Sequence, residues 1–210
     1  MVGVGDATSL VASLSKPGAN TTGITNMSIE LMGKRVELLI EIMPKLSRVA
    51  ALLNPANPTY AANKRALEDS ARKARLQLTV VDARSADQID QALPLLSKSR
   101  AEALVVQTDE LYREQRERLV RVATAARIPI AGGMVELVDI GALFSYSPDR
   151  IAYYRRAASY ADRILKGSKP AEMPVEQPTE FELILNMKTA KTLGIAVPQT
   201  VFMRAAKVIE

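Results

Sequence analysis

Between residues 47 and 132, short apolar runs alternate with amphipathic segments, and this alternation restricts the fold more than any other feature of the chain. SRVAALLN (47–54), QLTVVD (77–82), ALVVQ (103–107) and IPIAG (128–132) read as strands. Helices are expected between them over 59–75, 86–98 and 111–126. Ala62, Ala66 and Ala71 mark the inner face of the first of these helices; Leu111, Leu119, Val122 and Ala126 mark that of the third. Ser85 and Gln88 form a capping-box pattern that opens the middle one, and Pro94 predicts a kink or early end inside it. A further helix stands in front, over 29–43, with Met32, Val36, Leu39 and Met43 at helical spacing, Ser28 as N-cap and Pro44 just past the end.

Strands of this kind joined by helices form a parallel sheet covered on both faces, with right-handed crossovers. The fold class expected is α/β, a doubly wound sheet with strand order 2-1-3-4. Past residue 133 the pattern loosens. MVELVD (134–139) reads as one or two helical turns and ALFSY (142–146) as a strand. A helix follows over 149–166, with Gly167 as its C′ residue. SKPAEMPVEQP (168–178) is a proline-rich connector. FELILN (181–186) is a strand, 187–193 a helix ended by Gly194, and 199–209 a last helix. Strands reached through such a connector suggest a chain that crosses between two lobes.

The chain contains neither cysteine nor histidine, which removes disulfides, thiol nucleophiles, Ser-His triads and the usual zinc sites together. Absence of cysteine fits an oxidising compartment. The net charge of +5 comes from basic residues spread along helices, as in KRVELL, RKARL and REQRERLVR, with acids interleaved. These read as solvated helix faces, as do Arg113, Arg116, Arg155 and Arg156, and no nucleic-acid partner is expected. Three Phe, six Tyr and no Trp leave little for a base-stacking surface. No apolar run approaches the roughly 18 residues of a membrane span. VGVGDATSL after Met1 lacks the pattern of a signal peptide.

In an open parallel sheet, ligands sit beyond the carboxyl ends of the strands, where the strand order reverses. With order 2-1-3-4 that point falls between the first and third strands, which are followed by NPANPTY and QTDELY. The two turns are expected as adjacent lips of a groove that grips a solute. Asn57-Pro58-Thr59 reads as a helix start, where Asn57 or Thr59 either caps the helix or also holds an anion or carbonyl. Asp109, next to Thr108, either caps the following helix or also accepts from a ligand ammonium. Tyr146, beside Ser145 at the end of ALFSY, either packs or stacks on a ligand. GVGDATS is not a dinucleotide fingerprint, and no phosphate loop, metal spacing or acid-base pair emerges. The pattern points to binding without catalysis, cofactor or metal.

Several segments carry a family resemblance: LVASLSKPGANTTGITN (10–26), GKRVELLIEIMPKLSRVAALLNPANP (33–58), TDELY after ALVVQ, GALFSYSPD (141–149), RILKGSKPAEMPVEQPTEFELILNMKTAKTLGI (163–195) and RAAKVIE at the close. In order and spacing the chain resembles bacterial ABC-transporter substrate-binding proteins of the tryptophan/tyrosine type. The resemblance implies a type I periplasmic-binding-protein fold, in which two α/β lobes close over an amino-acid-like ligand or small organic acid. It implies an ABC permease as partner, and a periplasmic or lipoprotein location. By the same likeness Asp109 is the ammonium partner and Asn57 a polar anchor. Thr59 and Thr108 belong to the same turns; Asp6, Ala7 and Thr8 are the opposing lobe's contribution; Ser145 and Tyr146 lie at a strand end near the hinge. Relative to that pattern the chain begins late in the first lobe, leaving residues 1–25 and 143–175 of it beside a second lobe of 26–142 and 176–210. A partial sheet of this kind predicts either a homodimer formed through the remnant or weakened binding. The NPANP turn also lacks the Ser or Thr cluster that would grip a carboxylate.

Two other readings stand beside this one. A nucleotide- or flavin-using enzyme domain would need a glycine-rich phosphate turn after the first strand, and proline cannot donate its N–H there. A receiver-like protein-interaction module would need an acidic cluster at the strand ends, where only Asp109 and Glu110 stand.

Overall fold

A computed structural model of the chain describes residues 10–210. The chain divides into two compact units, Met1–Ser28 with Ser147–Phe181, and Ile29–Tyr146 with Glu182–Glu210.

The larger unit is built on a sheet of order β2-β1-β3-β4-β5-β6-β7. The strands are β1 Arg48–Leu53, β2 Gln77–Asp82, β3 Ala103–Val106, β4 Ile130–Gly132, β5 Phe144–Pro148, β6 Phe181–Asn186 and β7 Ala205–Ile209. β1 pairs in parallel with β2 and β3, β3 with β4, β4 with β5, and β6 with β7. The first four strands thus take the order 2-1-3-4 that the alternation predicts.

The helices are α1 Ser28–Ile42, α2 Tyr60–Lys73, α3 Ala86–Ser99, α4 Glu110–Glu114, α5 Arg116–Ala125, α6 Val135–Asp139, α7 Arg150–Leu165, α8 Met187–Leu193 and α9 Gln199–Phe202. Successive strand residues point to opposite faces, so each strand feeds two cores. Ala50, Leu52, Leu104, Val106 and Ile130 pack with Ile89 and Leu96 of α3, Leu119 and Ala123 of α5 and Leu137 of α6. Val49, Ala51, Leu53, Val105 and Ala131 pack with Met32, Val36 and Leu39 of α1, Leu67 of α2 and Ala190 of α8. Both faces are covered, which is why the central strands are apolar throughout rather than alternating.

Several elements depart from the sequence expectation. The inner face of α2 is Asn63, Leu67 and Ala71; Ala62 and Ala66 sit one position round, half-buried. α3 runs through Pro94, which is solvent-exposed, as is Asp90, whose carbonyl would have received the missing N–H. The expected helix 111–126 is two helices, broken at Gln115, where φ is −94° and ψ 20°. Ser28 is the first residue of α1, and Asn26 Oδ1 accepts its N–H at 3.1 Å. The expected last helix 199–209 is α9 followed by strand β7. RAAKVI has no strong local preference for a strand; pairing with the outer edge of β6 over Leu183–Asn186 decides its conformation.

Three crossover helices end alike. Arg75, Arg100 and Arg127 take left-handed backbone at φ 58°, 52° and 56°, just past the ends of α2, α3 and α5. This position usually holds glycine. Arginine there brings a cation to the negative end of the helix.

In the smaller unit, α7 is capped by Asp149, whose Oδ1 accepts the N–H groups of Ile151 and Ala152 at 2.8 and 3.2 Å. Gly167, at φ 98°, follows its end. Tyr160 is the buried residue of this helix; its hydroxyl donates to the Pro174 carbonyl at 2.6 Å, and Arg156 and Arg163 each lie 5.6 Å from its ring centre. Arg156 forms an ion pair with Glu176 at the surface. The connector is tied to the early segment by Val175 N–H to Leu14 O, 2.7 Å, and Thr25 N–H to Glu176 O, 2.9 Å.

Candidate functional site

At the carboxyl ends of β1 and β3 the strand order reverses, and there the turns 54–59 and 107–111 meet. NPANPT folds as two successive turns closed by asparagine side chains. Asn54 Oδ1 accepts the Ala56 N–H at 3.0 Å, and Asn57 Oδ1 accepts the Thr59 N–H at 2.9 Å and its hydroxyl at 2.7 Å. Asparagine suits this role because its side-chain carbonyl mimics the backbone two residues on. Helix α2 therefore begins at Tyr60, and neither Asn57 nor Thr59 caps it with a side chain. Side-chain capping, which both alternatives for these residues include, is absent: Asn57 Oδ1 closes its own turn, and the Thr59 hydroxyl donates to it and accepts from Asn63 Nδ2.

Across the gap the two turns bond directly. Asp109 Oδ2 accepts from Asn57 Nδ2 at 2.7 Å, and both Asp109 oxygens lie 3.2 Å from Asn54 Nδ2. Asp109 Oδ1 also accepts the Leu111 N–H at 2.9 Å, so it caps α4, as both of its alternatives predict. Gln107 Oε1 accepts the Asn54 N–H at 2.8 Å, and its amide nitrogen stands 3.4 Å from Thr59 Oγ1, which also accepts from Asn63 Nδ2 at 2.7 Å. The two turns are neighbours as expected, but the space between them is filled by their own amides. The open groove expected there is corrected to a closed polar seam. Buried polar groups seek partners, and Asn54, Asn63, Gln107 and Asp109 are all buried.

The remaining expected residues are distributed as follows. Thr108 is half-exposed at the seam. Ser145, fully buried in β5, has a hydroxyl with no hydrogen-bond partner among the described residues. The Tyr146 ring packs against the core on the α1 side. Asp6, Ala7 and Thr8 lie outside the described residues.

One residue overturns its expected place. Arg35, read from KRVELL as part of a solvated face, is 1% exposed. Its Nε and Nη2 donate to the Tyr146 carbonyl oxygen at 3.1 and 3.0 Å, and Nη1 lies 3.2 Å from Met32 Sδ. Burial pushes its pKa down to about 10. The sequence signal was present: position 35 is three residues from Met32 and four from Leu39, on the buried stripe.

Comparison with known proteins places this arrangement. The chain matches the model of the ABC transporter substrate binding protein family over residues 2–209 and belongs to that family. It is 28% identical over 187 residues to a tyrosine-binding protein of Clostridioides difficile, covering 89% of this chain and 53% of that protein. The chain therefore spans about half the length of this curated relative. Among solved structures it resembles a conserved domain protein of Vibrio cholerae, with TM-score 0.91 and 26% identity over 98% of this chain and 69% of that one. It also resembles a Streptococcus pneumoniae ABC domain in complex with L-Trp, with TM-score 0.87 and 26% identity over 97% and 70%. The fold is type I periplasmic-binding-protein-like. The family is one of substrate-binding proteins rather than enzymes. Among the described residues no helix is long and apolar enough to cross a membrane, and no three acidic side chains cluster as a metal site.

Proposed function

We propose that this chain is the solute-binding component of an ABC import system, and that it holds an amino acid at the carboxyl edge of the larger unit's sheet without chemical change. Aromatic amino acids are the ligand class that the relatives' names suggest, tyrosine for one and tryptophan for another. In this reading the larger unit is the second lobe of the fold, and the protein works outside the cytoplasmic membrane with a permease. The observation that carries the reading is the family match over residues 2–209; at the strand-order reversal the seam is closed by its own side chains, so a ligand ammonium that reaches Asp109 would displace one of its neutral donors, Asn54 or Asn57. Asn57 and Thr59 serve by holding the seam in shape, and Thr108 offers a half-exposed hydroxyl. Asp6, Ala7, Thr8, Ser145 and Tyr146 stay as contacts proposed by family likeness.

The test is a thermal-shift and calorimetric series with L-tryptophan, L-tyrosine, other amino acids and small organic acids. A ligand at a hundredfold its Kd raises stability by about 2.7 kcal/mol through mass action. The expected result is a shift with an aromatic amino acid. No shift with any amino acid at millimolar concentration would refute the reading.

A further inference from the structure

The amino ends of the central strands, at the edge of the sheet opposite the 54–59 and 107–111 turns, carry a row of cations. The ladder fixes their alignment. The Gln77 N–H donates to the Ser47 carbonyl at 2.8 Å, the Glu102 N–H to that of Arg48 at 2.9 Å and the Leu104 N–H to that of Pro129 at 2.9 Å. Arg75, Arg100 and Arg127 stand just before β2, β3 and β4, and Arg48 opens β1, its Nε donating to the Arg100 carbonyl at 2.8 Å. Neighbouring strands lie about 4.8 Å apart, so in the order β2-β1-β3-β4 the row runs for about 14 Å. Lys73 and Lys98 lie in the last turns of α2 and α3 beside it, and Lys45 follows α1. Lys45, Lys73, Arg75, Lys98, Arg100 and Arg127 are exposed, and none of them is in an ion pair among the described residues. The carboxylates in these segments are taken: Glu102 pairs with Arg48, and Asp69 with Arg72. Helix ends explain the presence of a cation here but not the amount of charge. A helix C-terminus carries about half a negative elementary charge. Lys73 with Arg75, and Lys98 with Arg100, set two positive charges against each such end. The surplus is a positive field along one edge of the sheet.

We propose that this amino edge of the larger unit's sheet is a docking surface for a linear phosphate polyanion, a chain of phosphodiester or phosphoanhydride groups. Charge complementarity carries the choice: a guanidinium presents paired donors to phosphate oxygens, and a row of cations meets successive charges of one chain. No aromatic side chain stands among residues 45–48, 73–77, 98–103 and 127–130 to stack on bases, so it is the phosphate backbone that is held. None of the exposed large apolar side chains falls in these segments either, so nothing there inserts into a bilayer. A chain bound at this edge leaves the carboxyl edge free, and the proposal stands independently of the amino-acid reading above.

The experiment titrates the full chain with long-chain inorganic polyphosphate at several salt concentrations. Each phosphate contact on a single strand adds about −0.7 to the slope of log K against log salt, so a slope of about −4 is expected. The triple change Arg75→Asn, Arg100→Asn and Arg127→Asn keeps residues that tolerate left-handed backbone and removes three cations of the row. It is expected to bind roughly 10- to 100-fold more weakly, with a slope smaller by about 2. The control, Arg65→Gln with Arg84→Gln and Arg155→Gln, removes as many exposed cations elsewhere and is expected to change binding little. Lys45→Gln with Lys73→Gln and Lys98→Gln replaces the arginine variant if that one does not fold. Equal weakening by the control would show that only net charge is read, and the inference is overturned. Absence of polyphosphate binding at low salt overturns it too. Tighter, edge-dependent binding to vesicles of phosphatidylglycerol and phosphatidylcholine than to polyphosphate would make the partner a lipid surface, and the inference is likewise overturned.

Discussion

Asp109 shows how much one side chain organises here. Its carboxylate accepts from the amides of Asn54 and Asn57 and from the Leu111 N–H, so its removal leaves several buried donors unsatisfied at once. Asp109→Ala is expected to destabilise the protein by about 3 kcal/mol, combining a lost helix cap with stranded donors. Asn57→Ala should cost only about 1 kcal/mol, because Asn57 is half-exposed and water can replace its contribution. Urea unfolding measures both, as a lower midpoint at unchanged slope; equal effects of the two would show that the carboxylate is not the hub. At this scale the sequence was half legible. The two turns could be placed together because their strands could be ordered, but not the bonds between them, since an asparagine that closes its own turn reads the same as one that faces a ligand. Arg35 went unread for a different reason. Composition treats arginine as surface, and only the helical period placed it on the inner stripe.

The ends of the elements carry predictions of their own. Arg127, at φ 56°, holds left-handed backbone that glycine adopts without strain. Arg127→Gly is expected to raise stability by up to about 1 kcal/mol, less what the lost cation contributed at the end of α5, and thermal unfolding checks the sign. At the amino ends of β1 and β3, Glu102 accepts the N–H groups of Ser47 and Arg48, at 2.8 and 3.0 Å, and pairs with the Arg48 guanidinium. Burial alone would raise its carboxyl, but the hydrogen bonds from Ser47 and Arg48 and the arginine charge outweigh it and hold the pKa below the ordinary value. A carboxyl depressed on folding stabilises the protein above its unfolded value, near 4.5, and that contribution is lost as pH falls through the lower folded value. Glu102→Gln should therefore cost roughly 1 kcal/mol at neutral pH and flatten the stability profile below about pH 4.5. A profile parallel to wild type would contradict this. Most strands and helices were legible because their periods are strong. β7 was not, because what makes it a strand is the free edge of β6 beside it, a fact about pairing that no local pattern encodes.

At the scale of the whole molecule, the two units differ in how much core they own. β3 is buried along its full length and β1 over five of its six residues, with helices packed on both faces of the sheet. In the 16-residue α7 of the smaller unit, the buried residue is Tyr160. Ile151, Tyr154 and Leu165 of that helix are 62%, 52% and 87% exposed. Regions with few buried apolar contacts open at lower free energy than the global transition. Native-state hydrogen exchange should therefore find β1 and β3 amides exchanging only by global unfolding. α7 amides should exchange by a local opening, faster by on the order of 100-fold or more. The same measurement locates the ligand. An aromatic amino acid bound at the carboxyl edge of the sheet should slow exchange at Asn57 and at the backbone of Thr108, in the two turns that meet there. It should also slow β1 and β3, by the factor that mass action adds to global stability. Slowing confined to α7 would put the ligand on the smaller unit and contradict binding at the carboxyl edge of the larger unit's sheet.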